Sequence, residues 1–391
     1  MKNIVLKNPI TFLIFIVVIL GCTNKEDVNH TSSVKKEIKI TNELKIDLQG
    51  SAHYDSYSSY FIQNNDSLYL TRGSQKSSKI DYFNWETKKL AKSLRIETSG
   101  VNYITNYQGF HYPITYDSII LPVTYGRINI IKDKEVVLKN YFDNYPLGFV
   151  FYTTQAFPLL HIEDDIILWA IPDKQEFTQP ESFLTPTLAK YSLPKDTIQH
   201  LEIKHPDFFN EKCWSAEQYK PLYTNIKNRL YYVFSAGGNF KAYDLITNKE
   251  VEYPKPPSKF VDWSNPIPLN KCGEYATPSS WIQDTQKAIH SALIHEPKNN
   301  IFYLITHLPV KDLDTIKEEL MNNQKSPNFK PISVMALDAE FKLIDEIKLP
   351  PKKYNTKDFI VADGGIYISK NNELSESFDE NYMIFDFFTV N

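Results

Sequence analysis

Three features of the sequence predict an all-β fold, a six-bladed β-propeller of four-stranded antiparallel blades whose ring is closed by an N-terminal strand. A turn residue running into an apolar strand, Asp66-Ser67-Leu68-Tyr69-Leu70, returns at Asp117, Asp164, Asn228, Asn299 and Asp363. Aromatic side chains make up 14% of the chain, and they favour the half-buried pleated surface of a sheet over a helix. The last copy lacks a final strand, while Leu44-Lys45-Ile46-Asp47-Leu48 near the start has the alternation seen at the ends of other copies. Completing the last unit with that segment would close the ring and remove its free edges.

Residues 1–21 read as a lipoprotein signal peptide. Lys2 and Lys7 form a basic start, Ile10 to Leu20 is apolar apart from Thr11, and Ile19-Leu20-Gly21-Cys22 follows at once. The run is too short for a bilayer core of ~30 Å, which takes roughly 20 residues to cross. Its ending resembles a bacterial lipobox, and the resemblance implies cleavage before Cys22 and acylation of that cysteine. Several acyl chains, at ~0.8 kcal/mol per buried methylene, would hold the protein on a membrane. Residues 22–36 are polar and without periodicity, a flexible tether ahead of a propeller over residues 37–391. Lys25-Glu26-Asp27 resembles the signal that sends some lipoproteins to the outer face of the outer membrane. The expected location is therefore the outer membrane, lipid-anchored and facing the periplasm or the cell surface.

The first copy continues from its anchor through a turn at Gly73 to Ser78, a strand at Ile80 to Trp85, and another at Leu94 to Ile96. The second gives Ile119 to Val123, Arg127 to Ile131 and Val136 to Leu138. The third gives Ile166 to Ala170, Leu188 to Leu193 and, as its outer strand, Leu201 to Ile203. The fourth gives Leu230 to Phe234, a hairpin turn at Ala236-Gly237-Gly238-Asn239, Phe240 to Leu245 and Val251 to Tyr253. The fifth gives Ile301 to Ile305, an insertion with a helical stretch at Ile316 to Met321 as a candidate lid, Ile332 to Leu337 and Leu343 to Ile347. The sixth gives Gly365 to Ser369 and Tyr382 to Phe388. Anchors lie 47 to 71 residues apart, room for four short strands and their connections. Continuous apolar runs such as Ile166-Ile167-Leu168-Trp169 favour a propeller over a sandwich, because blades cover their middle strands on both faces.

Lipobox, polar tether, chain length and six strand repeats headed by Asp or Asn together resemble the bacterial lipoproteins of unassigned function in the domain-of-unknown-function family 4221, described as TolB-like six-bladed propellers. The resemblance covers Cys22 to Asn391 and brings no matched functional motif, so no residue role is carried over from it.

Chemistry is sparsely signalled. With a net charge of −4, nothing in the composition points to the basic face that a nucleic-acid partner requires, and none is expected. His290 and His295 lack the spacing of a zinc pair, and Asp164-Asp165 stands where a turn needs Asp. Gly237-Gly238 has no phosphate-loop setting, so neither a metal, a cofactor nor a catalytic residue is assigned. Cys213 and Cys272 are a candidate disulfide in an exported chain. Counting back from each anchor to the innermost strands gives Tyr57, Tyr60, Gln108, His111, Gln155, Tyr223 and His290 as candidate channel-lining residues. Such side chains can hold a glycan or peptide by stacking and hydrogen bonds. The expected function is a membrane-anchored binding protein for a ligand or protein partner without catalysis, the alternative being a propeller enzyme acting on glycans in the channel.

Overall fold

The computed structural model describes residues 36–391 except 50–52, 55, 57, 75, 98, 101–102, 105–106, 124–126, 142–148, 173–185, 196, 210–211, 215–217, 262–266, 269–284, 313 and 315–326. The expected signal peptide, Cys22, nearly all of the tether, Tyr57, Cys272 and the candidate lid helix therefore lie outside the described residues. The chain divides into Met1–Lys36 and Glu37–Asn391, and the second unit is a six-bladed propeller.

The unit opens with β1 (Ile38–Asp47). Blade one is β2 (Ser58–Asn64), β3 (Ser67–Ser74), β4 (Lys79–Asn84) and β5 (Lys89–Arg95), from the axis outward. Blade two is β6 (Tyr112–Thr115), β7 (Ser118–Val123), β8 (Arg127–Lys132) and β9 (Glu135–Tyr141). In blade three the inner position is shared by β10 (Phe149–Tyr152) and β11 (Leu160–Ile162), both paired with β12 (Asp165–Pro172). Its outer strands are β13 (Leu188–Ser192) and β14 (Thr197–His200). After β15 (Lys212–Cys213), blade four is β16 (Pro221–Ile226), β17 (Arg229–Phe234), β18 (Phe240–Asp244) and β19 (Lys249–Tyr253). After β20 (Ile267–Pro268), blade five is β21 (Ile289–Glu296), β22 (Ile301–His307), β23 (Ile332–Leu337) and β24 (Leu343–Leu349). Blade six is β25 (Asn355–Ala362), β26 (Gly365–Ser369) and β27 (Tyr382–Val390), completed on its outer edge by β1. The β1 ladder runs antiparallel from Ile38 opposite Val390 to Asp47 opposite Tyr382.

Every recurrent anchor leads into the second strand of a blade, and burial explains why these strands read as apolar runs. All seven residues of β22 and all five of β26 are buried, packed between neighbouring blades. The outermost strands meet solvent: β5 alternates and β19 is largely exposed. The left-handed turn residue precedes the anchor acid or amide at three blades, with φ of 51° at Asn65, 56° at Glu163 and 52° at Lys227.

Two strand assignments are corrected. β3 runs on to Ser74, where the sequence suggested a turn from Gly73. Gly73 fits because a Cβ there would stand 2.0 Å from the Gly109 carbonyl oxygen, so only glycine lets the two segments approach. The outer strand of blade three is Thr197–His200 rather than Leu201 to Ile203. Leu201 and Ile203 are buried beyond the end of that strand and still bond the neighbouring chain, Leu201 N–H donating to the Leu188 carbonyl and the Ile203 carbonyl accepting from Thr187 N–H.

The two faces of the ring are unequal. Turns between first and second strands and between third and fourth strands lie on one face, and the longest of them is 338–342. The strand ends on the other face are joined by longer stretches of chain: 96–111, 173–187, 201–220, 254–288, 308–331 and 370–381. The chain enters β1 at Ile38 on the tight-turn face.

Candidate functional site at the inner strands

The first strand of each blade is its innermost one, and polar side chains on and beside these strands bond across blades. The interruption between β10 and β11 sends Gln155 inward. Its amide accepts from Ser59 N–H at 2.6 Å and donates to the carbonyls of Ser59 and Phe359, each at 3.2 Å. One side chain thus ties blades three, one and six.

Beside it, Arg72 on β3 forms a two-pronged ion pair with Asp358 on β25, both bonds 2.9 Å, with the two side chains almost fully buried. Arg72 also donates to the Ser59 hydroxyl at 3.2 Å and to the Tyr54 carbonyl at 3.1 Å. Such a pair is held by geometry and by these added bonds, since burying two charges is costly on its own.

Histidines stitch adjacent blades. His111 precedes β6, and its two ring nitrogens bond the hydroxyls of Ser58 and Thr71 in blade one, both at 2.8 Å. Burial first, and then the Arg72 charge, lower its pKa to about 3, opposed by a bond to the Gly109 backbone. His290 on β21 bonds the Thr306 hydroxyl at 2.8 Å, while its N–H donates to the Ser235 carbonyl of blade four at 2.9 Å. Burial, helped by Lys255, lowers its pKa to about 3. His307 bonds Thr356 of blade six at 2.8 Å, and burial with Lys330 and Lys357 holds its pKa well below the usual range.

Tyr60 on β2 packs edge-on against His111 and Tyr112, with ring centroids 5.6 and 5.0 Å away. Tyr223 on β16 is fully buried, and burial followed by the Tyr60 hydroxyl raises its pKa, opposed by the Trp169 backbone. Gln108 is half-buried in the connection ahead of β6. Of the residues counted back from the anchors, the structure therefore gathers Tyr60, His111, Gln155 and Tyr223 around the centre and places His290 between blades four and five. Counting missed Arg72, Asp358 and His307. Each lies in or beside the polar part of its strand, Thr71-Arg72-Gly73, Lys357-Asp358 and Thr306-His307, where the sequence does not mark it out.

Among the described residues no group of three or more His, Cys, Asp or Glu side chains is arranged to hold a metal, and no helix is long and apolar enough to cross a membrane. β15 pairs with β20 outside the blades, setting Cys213 opposite Ile267, five residues before Cys272.

The family profile described as a domain of unknown function, DUF4221, matches residues 32–348. A crystal structure of a DUF4221 member from Bacteroides vulgatus ATCC 8482 is similar to this chain at 21% identity and a TM-score of 0.78, covering 91% of this chain and 99% of that one. A candidate exported protein from Bacteroides fragilis NCTC 9343 is similar at 11% identity and a TM-score of 0.56, covering 90% of this chain and 95% of that one. No curated protein matches the chain. The chain belongs to the DUF4221 family, whose domain function is unknown.

Proposed function

We propose that this propeller is an exported, lipid-anchored binding protein of the outer membrane, and that it takes its ligand or protein partner on the face of long connections. The observation that carries this reading is the inequality of the two faces. The long connections lie on the face opposite the one at which β1 begins, at Ile38. Binding surfaces belong on such loops, because a rigid scaffold fixes them while their length leaves their chemistry free. The export part of the reading rests on Lys2, Lys7, the apolar run and Cys22, and the name of the Bacteroides fragilis protein with the same fold agrees with it. In an oxidising compartment Cys213 and Cys272 would pair, which suits the β15–β20 ladder.

An enzyme acting on glycans at the axis would need free carboxylates there. Asp358, the inner-strand acid at that place, is held by Arg72, which favours the binding reading.

Two measurements test the proposal together. A Cys22→Ala protein should lose palmitate labelling and leave the membrane fraction; persistent labelling overturns the anchor. Crosslinking in intact cells should then capture a partner through the 201–220 or 254–288 connections. Crosslinks confined to the tight-turn face would overturn the assignment of the binding face.

A further inference from the structure

We propose that the cleft between the outer halves of blades one and two binds a small zwitterion of amino-acid size. The site stands apart from the axis and does not depend on a lipid anchor. It is a cavity of about 220 Å³ opening on the tight-turn face, lined by Tyr82 of β4, Lys92 of β5, the turn residues Tyr116 and Asp117, and the turn residues Asp133 and Lys134. That is room for on the order of seven water molecules at ~30 Å³ each.

The first pointer is Tyr82. Its side chain is fully buried, yet its hydroxyl has no hydrogen-bond partner. A buried hydroxyl left unbonded costs stability, and a polar ligand in the cavity would relieve that cost. The second is the pair of charges at the rim: Asp133 and Lys134 form the two-residue hairpin turn between β8 and β9, with φ of 53° and 72° as such a tight turn requires. Asp133 N–H donates to the Asp117 carbonyl at 3.0 Å, fixing the turn against the cleft. The Asp133 carboxylate and the Lys134 ammonium make no bond with any described residue.

The charges decide the class of ligand. Lys92 bonds the Asp117 carboxylate at 2.8 Å and the Tyr116 carbonyl at 3.3 Å. It also lies over the Tyr116 ring at 4.3 Å and the Tyr82 ring at 5.0 Å. Both rings are thus covered by an ammonium, which leaves no bare aromatic platform for the flat face of a sugar. Two lysines and two aspartates balance, so an ion of one sign meets repulsion from half the site. A zwitterion matches both halves. Its amino group would bond the Asp133 carboxylate, and its carboxylate would accept from Lys134 and from the Tyr82 hydroxyl.

The test titrates the full chain with glycine, L-alanine, L-serine and L-leucine, with their N-acetyl and methyl ester forms, and with glucose, followed by NMR shift changes. At least one free amino acid should bind saturably, and either blocking group should weaken it about tenfold. Tyr82→Phe should weaken binding about fivefold without lowering the melting temperature, because that hydroxyl has no partner in the protein. Asp133→Asn, on an exposed turn, should weaken it similarly. The proposal is overturned if no free amino acid binds up to ~10 mM, if glucose binds as well as any of them, or if neither variant changes the affinity.

Discussion

Gln155 grips Ser59 as a neighbouring strand would, accepting its N–H at 2.6 Å and donating to its carbonyl at 3.2 Å across the centre of the ring. The same amide nitrogen reaches the Phe359 carbonyl, so one side chain supplies three inter-blade bonds. Gln155→Ala is expected to destabilise the protein by about 2–4 kcal/mol, since Ser59 N–H and two carbonyls would lose their partner near the axis. Urea denaturation measures this, and a loss below ~0.5 kcal/mol would show that water replaces the amide without cost.

The Arg72 and Asp358 pair is expected to behave asymmetrically. Asp358→Ala leaves a buried guanidinium uncompensated and should cost about 3–5 kcal/mol. Replacing both partners by apolar residues, Arg72→Met with Asp358→Leu, should recover most of that loss. Equal losses in the single and double variants would mean that the remaining Arg72 contacts to Ser59 and Tyr54 matter more than the ion pair.

Stability should fall on mild acidification. His111, His290 and His307 are held neutral in the fold, with pKa about 3 for the first two and well below normal for the third. Their unfolded pKa is ~6.5, so the unfolded chain takes up protons first as pH drops below that value. Each histidine then removes about 1.4 kcal/mol per pH unit between roughly pH 6 and pH 3. Asp81 works in the opposite sense: burial raises its pKa, against the Ser93 bond, so it favours the fold as the pH falls toward the ordinary carboxylate range. Three histidines outweigh one aspartate. Urea midpoints at pH 7 and pH 5 should differ clearly, and a flat profile would show that the histidines are charged in the fold.

How far the sequence revealed this depends on which force shaped each segment. Second strands such as Ile301–His307 were legible because neighbouring blades bury every side chain, which leaves a continuous apolar run. The outer strand Thr197–His200 was not, because a half-exposed edge carries little apolar signal and the buried run Leu201 to Ile203 beside it carries more. Tyr60, Tyr223 and His290 could be placed on inner strands by counting back from the anchors. Gln155 was found by the same count, but its role depends on a break in the inner strand of blade three that composition does not mark. The Arg72 and Asp358 pair joins residues 286 positions apart, and nothing local to either announces the other.

Cys213 and Cys272 supply a further expectation. If they are bridged, mass spectrometry of the denatured, unreduced protein should find neither thiol alkylated, and reduction should cost up to about 4 kcal/mol through the entropy of the long loop released. Alkylation of both without reductant would overturn the pairing.

The closing strand has a mechanical consequence. β1 starts at the face where the upstream chain joins and runs beside β27 along its whole length. A pull on residue 37 along the strand axis would therefore drag β1 lengthwise past its partner. The ladder bonds from Ile38 to Asp47 would bear that load together, rather than parting one at a time as in a strand peeled from its end. The weakest topological feature of a ring built from one chain, the seam between its two ends, is thereby placed in the direction in which a sheet is hardest to tear.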